Sequence, residues 1–318
     1  MSPPPPPTVF ITAATGTQGL NLARLLRSPP LSYPVHATVR DPTTPAATLL
    51  SSLGVHLTTA TWDDTAALTT ALRPCTHLFL NTVPSLTSIP HEHTQTTSIL
   101  SIALAAGITH VVYSSGLAID RLEEVSVFDP ASIVGQTLLS KRATETTLRS
   151  FGFKHWTILR GASFMENYLA PKVFMYGPAF ARDRLCTMAL KPTDVLPIVD
   201  TADIAKFALA AFQDPERFHQ KEVAIAGDEL SIEEIAKQLS EAIGEDGKGP
   251  IRYVALTEQE IETQRATNPF IVAQLAVKEL TKFVKVEESR GWGIELSTFR
   301  EFLEREREAV RATYCGGN

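Results

Sequence analysis

Thr12-Ala13-Ala14-Thr15-Gly16-Thr17-Gln18-Gly19 follows the apolar run Thr8-Val-Phe-Ile11 and precedes Leu22, Leu25 and Leu26, which recur at helical spacing. A strand that turns tightly into a helix leaves the first helical N–H groups without intrahelical partners. It also aims the positive helix end at whatever fills the turn, and pyrophosphate is the usual occupant. Gly16 would let the backbone approach the phosphates, and Gly19 would let the helix pack close to the strand. Ala13 stands where most such loops carry glycine. Ala13, Thr15, Gly16, Thr17, Gln18 and Gly19 are therefore the expected cofactor contacts. The strand–turn–helix setting separates this pattern from a glycine turn that merely permits packing.

Outward from this turn, short β-branched or aromatic runs alternate with helical patterns. The runs are Thr8–Ala13, Val35–Val39, Val55–Thr58, His77–Leu80, His110–Ser114 and His155–Leu159. Strands separated by helices need parallel crossovers, and a sheet covered on both faces needs the nearly continuous apolar runs seen here. The expected fold class is α/β: a Rossmann-type doubly wound parallel sheet with a smaller, mostly helical C-terminal substrate domain. The boundaries read as a proline-rich disordered arm at 1–7, an NADP-binding domain at 8–160 and a substrate or lid domain at 161–318, with 196–226 returning to the sheet. In the second half three helices are expected. One opens at Asp200 or Thr201. One follows the capping box Ser231-Ile-Glu-Glu234 and stops at Gly244. The third spans roughly Leu296–Arg311.

The end of the second strand selects the cofactor. An acid there would accept from a ribose 2′-hydroxyl, whereas an arginine would pair with a 2′-phosphate. The sequence is Val39-Arg40-Asp41-Pro42, and Arg40 comes first. Its planar fork matches phosphate, which favours NADP(H) over NAD; Asp41 keeps the NAD reading open. Ligands lie at strand C-terminal ends, so Asn81, Thr82 and Val83 after the fourth strand, and Ser115 after the fifth, should face the cofactor. Asp63 could bond the adenine amino group or cap the helix that begins there.

The composition narrows the classes. Lys and Arg total 29 against 35 Asp and Glu, a net charge of −6 without a basic stripe, which argues against nucleic-acid binding. The cysteines Cys75, Cys186 and Cys315 form no Cys-x-x-Cys pair, and no apolar run reaches the length of a membrane span. A soluble, cytoplasmic protein is expected. His91-Glu-His93 places its histidines two apart, off a common helix face, so no metal site is expected.

Several segments together resemble the NmrA-like branch of the atypical short-chain dehydrogenases/reductases. They are the Ala-Thr-Gly-Thr-Gln-Gly turn, Val-Arg-Asp-Pro, Val111-Val-Tyr-Ser-Ser-Gly116, Lys141-Arg-Ala-Thr-Glu145, Ile158-Leu-Arg-Gly-Ala-Ser-Phe-Met-Glu-Asn167, Leu196-Pro-Ile-Val-Asp200-Thr-Ala-Asp203-Ile and Ala226-Gly-Asp-Glu-Leu-Ser231. The resemblance covers roughly 8–245. It implies a Rossmann-type NADP(H) domain, with a small C-terminal domain closing over the nicotinamide. Typical members of the wider superfamily use Tyr-x-x-x-Lys, and here Lys141 matches the lysine while Thr137 replaces the tyrosine. NmrA-like proteins commonly lack that tyrosine; some are NADP(H)-sensing regulators, and others reduce quinones, dyes, ketones or imines.

Lys141 is the catalytic and cofactor-ribose candidate, against the alternative of a solvated lysine paired with Glu145. Tyr113 should be core. Phe164, Asn167, Tyr168, Met175 and Tyr176 are the expected substrate wall, since aromatics and methionine make an adaptable apolar surface; interdomain core is the alternative. Asp203 reads as structural. The expected function is an NADPH-dependent oxidoreductase that reduces a carbonyl, quinone or imine of a small apolar substrate. The alternative is a catalytically silent NADP(H) sensor, and Thr137 is its best support.

Overall fold

The computed structural model describes residues 6–82, 89–245 and 248–316. Most of the proline-rich arm and the expected contact Val83 lie outside them. The strands in chain order are β1 (Val9–Ile11), β2 (Val35–Val39), β3 (His56–Thr59), β4 (His77–Leu80), β5 (His110–Gly116) and β6 (His155–Gly161), then β7 (Ser163–Phe164), β8 (Leu185–Met188), β9 (Val195–Val199), β10 (Lys221–Ile225), β11 (Asp228–Ser231) and β12 (Arg252–Ala255). The first five helices are α1 (Thr17–Arg27), α2 (Pro45–Ser52), α3 (Thr65–Leu72), α4 (Ile89–Ala105) and α5 (Ile133–Ser150). By compactness the chain divides into two units. The first is 1–119, 136–160 and 204–223; the second is 120–135, 161–203 and 224–318.

The first unit is built on a seven-stranded parallel sheet of order β10-β6-β5-β4-β1-β2-β3, the doubly wound arrangement expected. The apolar runs become its interior: every residue of β1 and β6 is buried, whereas the edge strand β3 is half exposed. The order reverses between β1 and β4, and in such sheets the crevice for ligands opens at that reversal. There Thr12 locks the two strand ends together: its hydroxyl accepts from the Asn81 N–H at 2.6 Å and donates to the Asn81 carbonyl at 2.8 Å.

In the second unit β9 pairs antiparallel with β11 and parallel with β7, and β8 pairs parallel with β12. Here the expectation for 196–226 is half corrected. β10 joins the central sheet, but Leu196–Val199 forms a separate sheet, held there by register with Asp228–Leu230. The capping box at Ser231 forms as expected and its helix, Ile232–Ile243, buries Ile232, Ile235, Leu239 and Ile243 before stopping at Gly244, where φ is +75°.

The helix expected over Leu296–Arg311 is instead two helices, Phe299–Arg305 and Arg307–Tyr314, interrupted at Glu306. Tertiary acceptors delay its start. The Ser297 N–H donates to Asp203 at 2.8 Å, the Phe299 N–H donates to Asp228 at 3.0 Å, and Thr298 forms a capping box with Glu301. Asp203, wholly buried, is thus a structural acceptor. Among the described residues no helix is long and apolar enough to cross a membrane.

Candidate functional site

The turn after β1 has the features an anion-binding helix start requires. α1 opens at Gly16 with no side-chain cap and no acidic residue in its first turn. No acid of its own first turn therefore opposes an anion at the positive end of the helix. A Cβ on Gly19 would meet the Ala14 Cα at 2.6 Å and the Ala13 carbonyl oxygen at 2.7 Å, so only glycine lets the helix lie this close to the turn. Ala13 takes φ +47°, the left-handed region, which explains why glycine is commoner at such a position. Thr15 and Gly16 are exposed and Thr17 is half-buried. Gln18 is buried, and its side chain is spoken for: Oε1 accepts from the Ser114 hydroxyl at 2.6 Å. Its NH2 and its backbone N–H remain as donors for an anion.

Arg40, exposed at the C-terminal end of β2, makes no ion pair among the described residues. The neighbouring Asp41 is occupied. Its Oδ1 accepts from the Thr43 N–H at 2.8 Å and the Thr43 hydroxyl at 2.6 Å, bonds that hold its carboxyl below the usual range. A turn therefore engages Oδ1 of the acid that kept the NAD reading open, and its Oδ2 takes no part in these bonds.

Asp63 is not the helix cap. The cap of α3 is Asp64, which accepts from the Ala67 N–H at 2.9 Å. Asp63 instead accepts from Gln95 at 2.9 Å and pairs with His91 at 3.0 Å. His93 bonds Thr147 at 3.1 Å, so the two histidines of His91-Glu-His93 serve different neighbours.

Lys141 is the residue whose surroundings composition could not reveal. It is half-buried on α5, and burial pulls its ammonium below the ordinary lysine range against the opposing pull of two carboxylates, Glu92 and Glu145. Glu145 does not spend itself on Lys141 as a surface i,i+4 pair. It is 1% exposed and accepts from the Ser115 hydroxyl at 2.7 Å, from Arg149 at 2.8 Å and from Arg160 at 3.0 and 2.6 Å. Arg160 bridges on to Glu222 at 2.7 Å. Glu92, also buried, accepts from the Thr82 hydroxyl at 3.0 Å. Thr82 and Ser115, read from the sequence as cofactor contacts, thus point their hydroxyls at the two carboxylates that act on Lys141. Tyr113 is wholly buried, and burial raises its phenol further above the ordinary range, so it is core as expected.

In the second unit a cavity of about 210 Å³ brings together Asn167, Met175 and Tyr176 from the expected wall. Two expected members are elsewhere. Tyr168 is 2% exposed within the aromatic core, edge-on to Phe299 at 5.5 Å, and its carbonyl accepts from the Tyr314 hydroxyl at 2.7 Å. Phe164 lies under the Lys172 ammonium, 5.6 Å from the ring centre. Sequence reasoning missed the opposite wall, Phe270, Ala273, Gln274 and Val277 of the helix Pro269–Val277. Its signal was present in Asn268-Pro269, a cap followed by a favoured first helical residue.

Glu166, between these groups in sequence, accepts from the Thr201 N–H at 3.1 Å and from its hydroxyl. Burial, aided by the charge of Asp200, pushes its carboxyl up to about 7.

The chain is 28% identical over 262 residues to the NmrA-like family domain-containing oxidoreductase malD of Malbranchea aurantiaca, covering 78% of this chain and 75% of that one. It is 27% identical to an NAD(P)H azoreductase of Xenophilus azovorans, covering 78% and 77%. Its fold is similar to that of NmrA, a negative transcriptional regulator in complex with NAD, with a TM-score of 0.74 at 18% identity over 98% of each chain. It is also similar to the NADPH-dependent quinone oxidoreductase of Escherichia coli complexed with NADPH, with a TM-score of 0.68 at 21% identity over 93% of this chain and 99% of that one. The NmrA-like family matches residues 6–303, so the glycine turn, the buried carboxylates around Lys141 and the later Leu196–Ser231 segment all fall within the match, and the chain belongs to that family.

Proposed function

We propose that the protein is an NADPH-dependent oxidoreductase that reduces a carbonyl, quinone or imine of a small apolar molecule. The observation that carries the cofactor is the start of α1: no side-chain cap, no acid in its first turn, and Gly19 where a Cβ would strike backbone. Arg40, free of ion pairs among the described residues beside an Asp41 already bonded in a turn, favours a 2′-phosphate over a bare ribose. The oxidoreductase reading draws on relatives named oxidoreductase and azoreductase, and on the uncharged cavity of the second unit.

When bound, the nicotinamide supplies hydride. The chain's own part is to hold and to protonate. The α1 N-terminus and Arg40 hold the phosphates; Asn81, Thr82 and Ser115 line the cofactor at the strand ends. Lys141 binds the nicotinamide ribose, and its lowered pKa suits it to donate a proton where Thr137 replaces a tyrosine. Met175 and Tyr176 supply apolar surface for the substrate, and Asn167 a polar contact.

A regulator that binds NADP(H) without turnover is the second reading, favoured by Thr137 and by the likeness in fold to NmrA. Fluorescence titration tests the cofactor assignment. NADPH should bind more tightly than NADH, and Arg40→Ala should cost NADPH about 10-fold or more while sparing NADH. Equal affinities in the wild type would refute the role of Arg40.

A further inference from the structure

The cavity of the second unit has walls of Met175, Tyr176, Met188 and Phe270, and none of its lining side chains carries a charge. A volume of about 210 Å³ falls below the roughly 300–1,000 Å³ of clefts for drug-sized ligands, so its occupant is one compact ring system. A charged ligand would lose its hydration and find no counter-charge among these walls.

Ser163, Asn167, Tyr176 and Gln274 are the polar side chains of the lining, and among the described residues Gln274 is the one fixed by a backbone donor. It is 7% exposed, and its Oε1 accepts from the Ala189 N–H at 2.7 Å. A backbone N–H can only donate, so the amide cannot be the other way round: oxygen faces Ala189, and the NH2 is the end left over. That nitrogen makes no hydrogen bond among the described residues. A donor on a wall shared with Met175, Met188 and Phe270 favours ligands that bring an acceptor.

We propose that Gln274 is a specificity-determining residue, a fixed hydrogen-bond donor that selects neutral, flat ligands whose carbonyl oxygen accepts from its NH2. This rests on reading the cavity as the substrate site and narrows it. A carbonyl or quinone oxygen fits, whereas a protonated iminium has no lone pair to offer and a sulfonated dye brings a charge the walls cannot meet. Met188, Leu190 and Leu196 complete an apolar surface on which a fused ring system can lie.

The test compares 1-tetralone with tetralin, which share a ring skeleton and differ by the carbonyl, by calorimetric titration of the full chain saturated with NADP+. The wild type should bind the ketone about 3- to 10-fold more tightly, the worth of one neutral hydrogen bond. Gln274→Met removes the donor without adding charge, and its ratio should fall to about one with NADPH affinity unchanged. Gln274→Glu keeps an oxygen for the Ala189 N–H, loses the amide donor and sets a carboxylate against the ketone oxygen alone, so its ratio should fall to about one or below. A wild-type ratio of one, or a ratio that survives both substitutions, overturns the assignment of Gln274. Failure of the folded wild type to bind either compound while it still binds NADPH sinks the reading of the cavity as the substrate site, leaving the cofactor assignment intact.

Discussion

The Arg160 guanidinium grips the Glu145 carboxylate from two nitrogens, Nε at 3.0 Å and Nη2 at 2.6 Å, with side chains 8% and 1% exposed. Such a pair is worth little against a well-packed apolar alternative, but its halves cannot be removed singly, because the partner left behind is an uncompensated buried charge. Glu145→Gln should therefore cost up to about 3 kcal/mol in urea denaturation, softened by the retained Arg160–Glu222 contact. The double variant Glu145→Gln, Arg160→Met should recover most of that loss. Additive costs would mean that the two side chains do not act as a pair.

Histidines crowd the opposite end of the sheet from the glycine turn. His77, His110 and His155 begin β4, β5 and β6, with ring centres 5.3 Å apart between the first two and 5.6 Å apart between the last two; His219 stands 5.3 Å from His155. Phe212 covers His77 and His110, and Glu216, 4.0 Å from His155, is the one carboxylate paired with them among the described residues. Burial, then repulsion from the other histidines, lowers His110 to about 3 and His77 to about 4. Above pH 6.5 both the folded and unfolded chains hold these rings neutral. Below it only the unfolded chain takes up protons, so stability should fall from pH 6.5 down to about 3–4. His110→Phe, near in shape and without the two unpartnered ring nitrogens, should flatten that fall by up to about 3 kcal/mol at pH 4, read from thermal midpoints across pH.

Glu166 has the opposite sign. Its carboxyl titrates at about 7 in the folded chain against an ordinary 4.5, so the folded chain keeps a proton that the unfolded chain has lost, and this contribution to stability disappears as pH rises from 4.5 to 7. Glu166→Gln keeps an oxygen for the Thr201 N–H and cannot ionise. It should match the wild type at pH 4.5 and exceed it by about 1–3 kcal/mol at pH 8. A difference independent of pH would show that Glu166 does not titrate in this window.

Lys141 separates binding from chemistry. With a quinone acceptor, Lys141→Met should lower kcat by about 10²-fold, the low end for a lost proton donor, and weaken NADPH. Lys141→Arg should restore NADPH affinity but not kcat, since an arginine holds its proton at any pH of interest. Equal rescue of both would reduce Lys141 to a cofactor anchor.

The legible parts of the chain were those governed by local rules. Val35–Val39 and His77–Leu80 coincide with observed strands because a doubly covered parallel sheet demands unbroken apolar runs, and the Ser231–Glu234 box caps its helix because both partners lie within one turn. Long-range partners defeated the rest. The third C-terminal helix starts late because Asp203 and Asp228, 94 and 71 residues away, claim its first N–H groups. Tyr168 has the composition of a pocket wall, yet Phe299 and Tyr314 make it core. The setting of Lys141 depends on Glu92, which no pattern within α5 announces.

The most direct test of the central claim is turnover. NADPH bearing deuterium at nicotinamide C4 is mixed with a substituted 1,4-naphthoquinone in excess, and NADPH absorbance and quinol formation are followed together, with NADH in parallel. The account predicts one quinol per NADPH consumed, a slower rate with deuterium at one face of the ring only, and weaker turnover with NADH. Tight NADPH binding without oxidation, for quinones, aryl ketones and cyclic imines alike, would contradict it and leave the protein a sensor of the cofactor rather than its user.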